Sequence, residues 1–356
     1  MFQRPAPSKS AAAGAGAVPA AADDLIVQRP EGLYCPAGDF FIDPWRRVDR
    51  AIITHAHADH ARTGHGRYLC AAPGAGVLRA RLGRIDLQAL PYGQALDVGG
   101  VRVSLHPAGH ILGSAQVRLE YRGRVWVAAG DYFSSATGER NPTCEPFEPV
   151  PCHVFVTEAT FGSPLYRWPP VARVVDDLVD WWRGNAADGA LSVVQAYSLG
   201  KTQHLLARLR GVDVGPLLAH PASHAINDAH RAEGVALADV ADWSMTNDAA
   251  ALRGALIVAP PSGAAAWRWH AGLRVREGFA SGWMLQHGGR HRAGLDRGFV
   301  LSDHADWPGL LHAVRETGCE RVIVTHGDEA LLERAFGEMG LQTQRFRTAY
   351  GDDAEA

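Results

Sequence analysis

Short apolar segments separated by turn residues fill the first half of the chain and predict β-strands. They are GLYCPAGDFFIDP, RAIITH, VRVSLHPAGH, AQVRLEYRG, RVWVAAGD and HVFVTEAT. A tight turn at Gly123 separates AQVRLEY from RVWVAAG, which predicts a hairpin. The segment APGAGVLRARLG has helical character and falls between two of these strands. The first half is therefore predicted to be rich in β-structure, with few helices.

The pattern changes near residue 168. PPVARVVDDLVDWWRGN carries apolar residues at helical spacing and ends at Gly184-Asn185. Strand-like and helix-like segments then alternate: ALSVVQAYS, LGKTQHLLARLRG, GPLLAHPASH, INDAHRAEGVAL and GALIVAPPSG. This alternation is typical of a parallel sheet with covering helices. Near residue 298 the first pattern returns, so residues 166–297 are predicted to be an inserted unit.

Composition narrows the class of protein. The 356 residues are 47% hydrophobic and 21% charged, and no apolar run is long enough to span a membrane. Residues 1–24 are rich in Ala, Pro and Gly, which predicts a disordered tail without the apolar core of a signal peptide. We therefore expect a cytoplasmic protein. The five cysteines form no C-x-x-C pair and indicate neither a disulfide framework nor a cysteine-based zinc site.

The charge distribution excludes a generally basic nucleic-acid binder, since the net charge is −3. Lys9 and Lys201 are the only lysines, so arginine supplies nearly all positive charge. Two arginine clusters are candidate contacts for a nucleic-acid strand, although an ordinary solvated face fits each residue as well. The first is VLRARLGR; the second comprises Arg268, Arg274, Arg276, Arg290, Arg292 and Arg297, interleaved with Trp267, Trp269 and Trp283.

The segment AIITHAHADHAR, residues 51–62, carries the clearest chemistry. An apolar strand runs into three histidines and an aspartate within six positions. If RAIIT is a strand that runs into a loop, His55 and His57 are two positions apart and point to the same side. Asp59 and His60 follow at a turn and face another direction. The segment can thus supply two ligands to one metal ion and two to a neighbouring ion.

Further ligands lie where other apolar segments end. His110 follows VRVSLHPAG, Asp131 ends VWVAAGD, and His326 lies in VIVTHGD. We assign His55, His57 and His110 to one ion, Asp59, His60 and His326 to the other, and Asp131 as the bridge. Imidazole and carboxylate ligands suit Zn²⁺, Mn²⁺ or Fe²⁺. The remaining strand-end histidines are expected to be structural: His65, His106, His153 and His220.

These motifs resemble the metallo-β-lactamase superfamily, whose pattern is H-x-H-x-D-H followed by His, Asp and His. The resemblance implies an αββα sandwich with a two-metal site at one edge of the sheets. An acid at Glu158 in TEATFG, His304 in SDHAD and His326 in THGDE further resemble the β-CASP nucleases. In that group an α/β cap is inserted. The implied domains are residues 25–165 and 298–356 for the sandwich and 166–297 for the cap.

One subgroup is most similar, the short bacterial exonucleases associated with DNA ligases, through GLYCPAGDFFIDPWRRVDRAIITHAHADHAR and QAYSLGKTQHLL. Two divalent ions, zinc or manganese, would activate water for attack on phosphorus, with Asp59 orienting that water. His304 would donate the proton to the leaving oxygen, and Glu158 would hold His304 in place. Ser198 and Lys201, at a glycine turn before a helix, would hold a substrate phosphate. A P-loop is excluded because its first glycine would fall at Gln195.

The resulting hypothesis is a two-metal phosphodiesterase that cuts DNA as an exonuclease in repair. Its expected partners are DNA and, through the subgroup, a DNA ligase and a helicase, with no membrane. One alternative is an RNA-processing ribonuclease, because the same site can cleave both polymers. Others are a hydrolase of small thioesters or lactams on the same fold, and a catalytically silent nucleic-acid-binding relative. All seven ligands are present, which argues against the silent relative.

Overall fold

A computed structural model describes residues 24–242, 249–263, 272–286, 294–327 and 329–346 of the chain. These residues form three β-sheets and six α-helices, a mixed α/β architecture. The hairpin predicted around Gly123 is confirmed by antiparallel pairing of Arg124 with Tyr121. None of the helices in these ranges combines the length and hydropathy that crossing a bilayer requires.

The first sheet is built from the N-terminal third of the chain. Its six strands lie in sequence order, the first three antiparallel and the others parallel. They are β1 Val27–Arg29, β2 Gly32–Cys35, β3 Phe40–Ile42, β4 Arg50–Ile52, β5 Arg67–Ala71 and β6 Leu87–Leu90.

The second sheet joins distant parts of the chain. Its order is β19-β18-β11-β10-β9-β8-β7, antiparallel from β7 to β10 and parallel from β10 to β19. The strands are β7 Ala95–Val98, β8 Val101–Pro107, β9 Ala115–Tyr121, β10 Arg124–Ala128, β11 Val154–Ala159, β18 Arg321–Gly327 and β19 Gln342–Phe346. Because β10, β11 and β18 are parallel, their carboxyl ends meet at one edge.

One hydrophobic core lies between these two sheets. Along β8, Val103 points into the core and Arg102 into solvent, the alternation expected of a half-buried strand. Leu69 of the first sheet belongs to the same cluster as Trp126 and Ile323 of the second. The outer face of each sheet packs against helices. These are α1 Ala75–Leu82 on the first sheet, and α5 Trp307–Thr317 and α6 Glu329–Glu338 on the second.

The third sheet occupies the middle of the chain. Its order is β14-β13-β15-β12-β16-β17, and every pair is parallel. Its elements are α2 Val171–Ala187, β12 Leu191–Gln195, α3 Lys201–Arg208, β13 Leu217–Ala219, α4 His224–Ala232, β14 Ala241–Asp242, β15 Leu256–Ala259, β16 Val275–Ala280 and β17 Arg297–Phe299. The predicted alternation of strand and helix is therefore observed here.

Local sequence explains where two helices begin and what they bury. Helix α2 starts after Pro170 and buries Val174, Leu178 and Trp182, a stripe at helical spacing. Helix α5 is capped by Asp306, whose carboxylate accepts the Gly309 N–H at 2.9 Å. The same carboxylate accepts the Trp168 N–H at 2.9 Å. Asp306 therefore joins the start of α5 to the segment that enters the third sheet.

The described part of the chain begins at Asp24, whose carboxylate pairs with Arg321 at 2.8 Å at the start of β18. The preceding 23 residues, including Lys9, lie outside the described part of the chain.

Candidate metal centre

The predicted ligands come from loops at one edge of the first two sheets. Strand β4 ends at Ile52, two residues before the end of the predicted strand RAIIT. His55 and His57 lie in the loop that follows, where the backbone is no longer held by the sheet. His110 lies in the loop between β8 and β9, and Asp131 follows β10. His55, His110 and Asp131 are almost fully buried.

Three overlapping groups of side chains bring their ligand atoms within 4.8 Å of one another. They are His55, His57, His110 and Asp131; Asp59, His60 and Asp131; and Asp131, Glu158 and His304. In the first group, Nδ1 of His57 lies 3.0 Å from Nε2 of both His55 and His110. Asp131 Oδ2 lies 3.5 Å from His55 Nε2 and 3.3 Å from His60 Nε2. Asp131 is thus shared by all three groups.

The other ring nitrogens of His57 and His110 bond to backbone carbonyls. His57 Nε2 donates to the Leu199 carbonyl at 3.2 Å, and His110 Nδ1 donates to the Asp303 carbonyl at 2.8 Å. A carbonyl oxygen only accepts, so each of these nitrogens carries the proton. The facing nitrogens, His57 Nδ1 and His110 Nε2, therefore present lone pairs to each other.

The same logic fixes the tautomer of His55. The Thr54 hydroxyl donates to Asp43 Oδ2 at 2.5 Å, so it accepts from His55 Nδ1 at 3.1 Å. His55 Nε2 then presents a third lone pair to the same point. Three lone pairs within hydrogen-bond distance repel one another unless a cation lies between them. The donor set of neutral imidazole and carboxylate fits Zn²⁺ or Mn²⁺.

Electrostatics keep these imidazoles in the ligand form. Burial lowers the pKa of His55 and His110 well below the usual range, because the charged form loses its hydration. Burial also lowers the pKa of His57. All three rings are therefore neutral at physiological pH, as metal binding requires.

The second group is more acidic. Burial alone would lower the pKa of His60, but Asp131, Asp59 and Asp43 raise it well above its usual range. Burial acts against the Asp59 carboxylate too, yet His60 lowers the pKa of Asp59 to about 2. His60 Nε2 lies 3.4 Å from Asp59, and its Nδ1 lies 2.8 Å from Asp43. Asp59, Asp131 and the imidazole of His60 bring their ligand atoms together and could hold a second cation, while Asp43 supports the ring from its other nitrogen.

Glu158 and His304 form a buried pair beside this centre. Both Glu158 oxygens lie close to His304 Nδ1, at 3.1 and 2.9 Å, and Glu158 Oε1 also accepts the Tyr132 N–H at 2.8 Å. The Trp168 indole donates to the His304 carbonyl at 2.9 Å. The carboxylate thus occupies Nδ1 and orients the ring, while His304 lines the cleft described below.

A cleft of about 1040 Å³ opens over the centre. Its floor contains His57, Asp59, His110, Asp131 and His304. The walls come from the third sheet and neighbouring loops and are largely aromatic or small: Tyr166, Tyr197, Ser198, Lys201, Phe279 and Trp283. Arg81 of the VLRARLGR cluster reaches the cleft and bonds the Ala56 carbonyl.

The structure gives Ser198 and Lys201 different surroundings. Ser198 is half-buried in the cleft wall, whereas Lys201 is 2% exposed and its ammonium lies 2.9 Å from Asp303. Some of the backbone N–H groups that were expected to be free for an anion already donate hydrogen bonds within the protein. Gly200 N–H donates to the Gln203 side chain and Thr202 N–H to the Tyr197 carbonyl. Phosphate binding by Ser198 and Lys201 stays a prediction.

Several predicted residues fall outside what the structure describes. The backbone of His326 lies in β18, but its side chain does not belong to the described part. Five residues of the second arginine cluster lie wholly outside the described residues: Trp267, Arg268, Trp269, Arg290 and Arg292. Among the described members of that cluster, Arg274 and Arg276 pair with Asp188 and Asp296 on the surface. The histidines expected to be structural do bond neighbouring groups of the fold: His65, His106, His153 and His220.

Three supporting groups were missed by sequence reasoning. Asp43 binds Thr54 and His60 and so orients two ligands. The carbonyls of Leu199 and Asp303 orient two others. Asp43 had a signal, since it ends the apolar segment DFFID directly before Pro44. A backbone carbonyl has no signature in sequence, so Leu199 and Asp303 could not have been found.

The loop that carries His110 is held rigidly. The Ser114 hydroxyl accepts the N–H groups of His110 and Ile111, and Asn141 donates to the His110 carbonyl at 2.7 Å. Gly109 has φ +76°, and a Cβ there would lie 2.6 Å from the Phe133 carbonyl oxygen. Only glycine fits this conformation and this contact.

Comparison with known proteins identifies relatives of the chain, although no protein-family model matches it. The chain is 33% identical over 324 residues to a probable DNA ligase of Opitutus terrae, covering 89% of this chain and 30% of that protein. It is 23% identical over 183 residues to an RNase J-like protein of Methanocaldococcus jannaschii, covering 45% of this chain and 43% of the relative. An endoribonuclease of Candida glabrata is 25% identical over 125 residues, 34% of this chain and 15% of that protein.

A solved structure shares the fold. A protein of unknown function from Enterococcus faecalis V583 superposes with a TM-score of 0.56 at 12% identity, covering 87% of this chain and 81% of that one. The fold, the histidine-rich centre and these relatives support the metallo-β-lactamase superfamily. Within that superfamily, the relatives support the β-CASP group. It spans less than half the length of each curated relative named above.

Proposed function

We propose that the protein is a two-metal nuclease that hydrolyses phosphodiester bonds in DNA and acts as an exonuclease in repair. The observation that carries this proposal is the convergence of neutral imidazoles and carboxylates on two adjoining points, joined by Asp131. Glu158 and His304 lie at the same centre. A cleft large enough for a polymer opens over them.

The packing supports the domain assignment that the resemblance implies. Residues 25–165 and 298–356 would form the superfamily sandwich of two sheets between helices. Residues 166–297 would be the inserted cap, although β17 extends that sheet to Phe299. The cleft lies where these parts meet, so the substrate would enter between them.

Each group of side chains has a distinct task in this proposal. His55, His57, His110 and Asp131 would hold one ion, and Asp59, His60, His326 and Asp131 the other. When bound, two such ions, zinc or manganese, would supply activation of a water molecule and neutralisation of charge on the phosphoryl oxygens. Asp59 faces the cleft and would orient the attacking water.

The leaving sugar oxygen requires a proton. His304 lines the cleft, and the Glu158 carboxylate that accepts its Nδ1–H would stabilise a second proton on Nε2, which could pass to the substrate. The third group of possible metal ligands includes both residues. Both Glu158 oxygens contact His304 Nδ1, and Oε1 also accepts the Tyr132 N–H, so this carboxylate already has its partners, which favours the acid role over metal binding by Glu158.

The choice of DNA over RNA rests on the relatives. The match to the probable DNA ligase covers most of this chain at 33% identity, whereas the RNase J-like protein matches 45% of it at 23%. We therefore propose DNA as the substrate and a functional association with a DNA ligase. The ribonuclease-named relatives make RNA the second candidate.

The proposal is tested with matched DNA and RNA oligonucleotides labelled at either end, with Mn²⁺ or Zn²⁺. Asp131→Asn is the inactive control, because it removes the charge shared by both ions while keeping the shape. Asp86→Asn is the matched control, since its exposed carboxylate lies in a weak surface pair. We expect metal-dependent shortening of DNA by wild type and Asp86→Asn, and a loss of at least 100-fold in Asp131→Asn.

Two results would overturn parts of this proposal. Cleavage of RNA alone would make the protein a ribonuclease on the same site. If metal-loaded wild type leaves both polymers intact, the nuclease assignment fails and small thioesters or lactams become the substrates to test. The end label separates an exonuclease from an endonuclease and gives its polarity.

A further inference from the structure

Lys201 and Asp303 form a buried ion pair beside the metal centre. Asp303 is 3% and Lys201 2% exposed, and Oδ2 of Asp303 lies 2.9 Å from the ammonium. Asp303 Oδ1 lies 2.7 Å from His204 Nδ1, one turn further along α3. The side chain of Asp303 therefore binds the first two turns of α3, at the edge of the third sheet.

The two segments joined by this pair also hold the metal-site imidazoles. The Leu199 carbonyl, two residues before Lys201, accepts from His57. The Asp303 carbonyl accepts from His110. Each bond fixes a ring so that its other nitrogen faces the proposed ion. One carbonyl belongs to the turn between β12 and α3 and the other to the loop before α5, 104 positions apart.

These segments approach so closely that only glycine fits at position 200. Gly200 lies between Leu199 and Lys201 with φ +87°. A Cβ at this position would lie 2.6 Å from Ile111, next to His110, and 3.5 Å from both Asp303 Oδ2 and His57 Nε2. The turn is therefore packed against both imidazole-bearing loops. A shift of α3 would move the Leu199 carbonyl away from His57.

We propose that the Lys201–Asp303 pair is a positioning device that locks the turn of the third sheet onto the metal centre and thereby sets metal affinity. The pair acts through the Leu199 and Asp303 carbonyls on His57 and His110, and touches neither ion. The inference rests on the proposed two-metal assignment. It gives the buried Lys201 a different task from the phosphate contact that the sequence predicts.

The test is Zn²⁺ binding to the metal-stripped full chain, measured by isothermal titration calorimetry and accompanied by thermal unfolding. Lys201→Met removes the cation from the buried Asp303 carboxylate and leaves it only its contact with His204, so folding of this variant is also at risk. The double variant Lys201→Met/Asp303→Asn removes both charges and keeps the Asp303 backbone carbonyl. We expect this double variant to fold and to bind one Zn²⁺ ion about 10- to 100-fold more weakly than wild type.

Two further variants separate positioning from general stability. Lys201→Arg keeps a cation at this position, so it should retain more of the Zn²⁺ affinity than Lys201→Met. Asp24→Asn removes the carboxylate of another ion pair, with Arg321 at the opposite end of β18 from Gly327, and should bind Zn²⁺ as wild type does. If the double variant does not fold, Asp303→Asn is measured in its place.

The outcomes distinguish this inference from the function on which it rests. Wild-type Zn²⁺ affinity in a folded double variant would overturn the positioning role and leave the nuclease proposal intact. An equal loss in Asp24→Asn would also overturn it, since any lost ion pair would then suffice. If wild type binds no Zn²⁺, the two-metal assignment fails and this inference fails with it.

Discussion

At the scale of single residues, the centre is organised by what the second nitrogen of each imidazole contacts. The Thr54 hydroxyl and the carbonyls of Leu199 and Asp303 accept hydrogen bonds from three imidazole rings, so the other nitrogen of each ring presents a lone pair to the centre. His60 differs because Asp43 takes that place, and carboxylates surround it. One centre thus contains a neutral group and an acidic group of ligands.

A prediction at this scale concerns Glu158 and the proton on His304. Glu158→Gln keeps an acceptor for the Tyr132 N–H but removes the negative charge that supports a protonated imidazole. We expect kcat on DNA to fall by about 10²- to 10⁴-fold with little change in KM, since general acid catalysis contributes that much. On bis(4-nitrophenyl) phosphate, whose leaving group needs no proton, the loss should be small.

An equal loss on both substrates would contradict the acid role and indicate that Glu158 supports a metal ion instead. Metal content of the variant, measured after purification, distinguishes the two cases. Unchanged metal content is expected for the acid role.

The part of the site that could be predicted from the sequence depends on the kind of chemical group involved. The structure brings six of the predicted ligand side chains close together, and their metal binding stays a prediction. Four of them, His55, His57, Asp59 and His60, could be found because they form a cluster within a single segment. The partner of Lys201 was not visible, since Asp303 lies about 100 positions away. The positive charge of Lys201 gave no indication of whether this side chain faces a phosphate or a carboxylate.

At the scale of secondary structure elements, helix α4 contains a histidine buried without any role at the metal centre. His230 is fully buried, and its Nδ1 bonds the Ile226 carbonyl one turn earlier. Burial lowers the pKa of His230 to about 4, because the imidazolium would lose its hydration. The unfolded chain binds this proton near pH 6.5, so folding opposes protonation.

His230 therefore predicts an acid-sensitive contribution to stability. The folded pKa lies below the unfolded value, so the contribution is complete above about pH 6.5 and declines as pH falls toward 4. The full decline amounts to roughly 3 kcal/mol in the free energy of unfolding. His230→Gln should flatten this dependence, as measured by urea unfolding of metal-stripped protein at several pH values. Identical pH slopes in both proteins would show that His230 is hydrated in the folded state.

The order and type of several elements were predicted better than the residue at which a strand ends. The hairpin at Gly123 and the parallel alternation of the middle region follow from local pattern, and both are observed. The end of β4 at Ile52 was not predictable, because the residues that follow it, Ile53 and Thr54, are also common in strands. Thr54 instead bonds the Asp43 carboxylate through its N–H and its hydroxyl.

At the scale of the whole molecule, the cleft combines two surfaces of different character. Its floor carries the charged and imidazole groups of the metal centre, whereas Tyr197, Phe279 and Trp283 line the walls. Tyr197 and Phe279 lie at the ends of β12 and β16 in the third sheet, with ring centroids 6.1 Å apart. Such rings suit unpaired bases, since every base can stack on an aromatic face.

This arrangement predicts preference for single-stranded DNA. Tyr197→Ala or Phe279→Ala should weaken binding of a single-stranded oligonucleotide about 10-fold and leave Zn²⁺ affinity unchanged, because neither ring is a ligand. Fluorescence anisotropy in an Asp131→Asn background, which prevents cleavage, measures this. Tyr121→Ala, an aromatic outside the cleft at the end of β9, serves as the control. Unaltered affinity in both cleft variants would show that bases do not stack on these walls.

The neighbours β11 and β18 in the second sheet also have a consequence during synthesis. They pair in parallel, yet about 160 residues separate the end of one from the start of the other. A ribosome adds roughly 5–20 residues per second, so β11 has no partner on that side for about 10–30 s. An unpaired edge of this kind can recruit strands from other nascent chains. Rapid synthesis and folding of the middle region would therefore shorten the exposure of this edge and protect the yield of soluble protein.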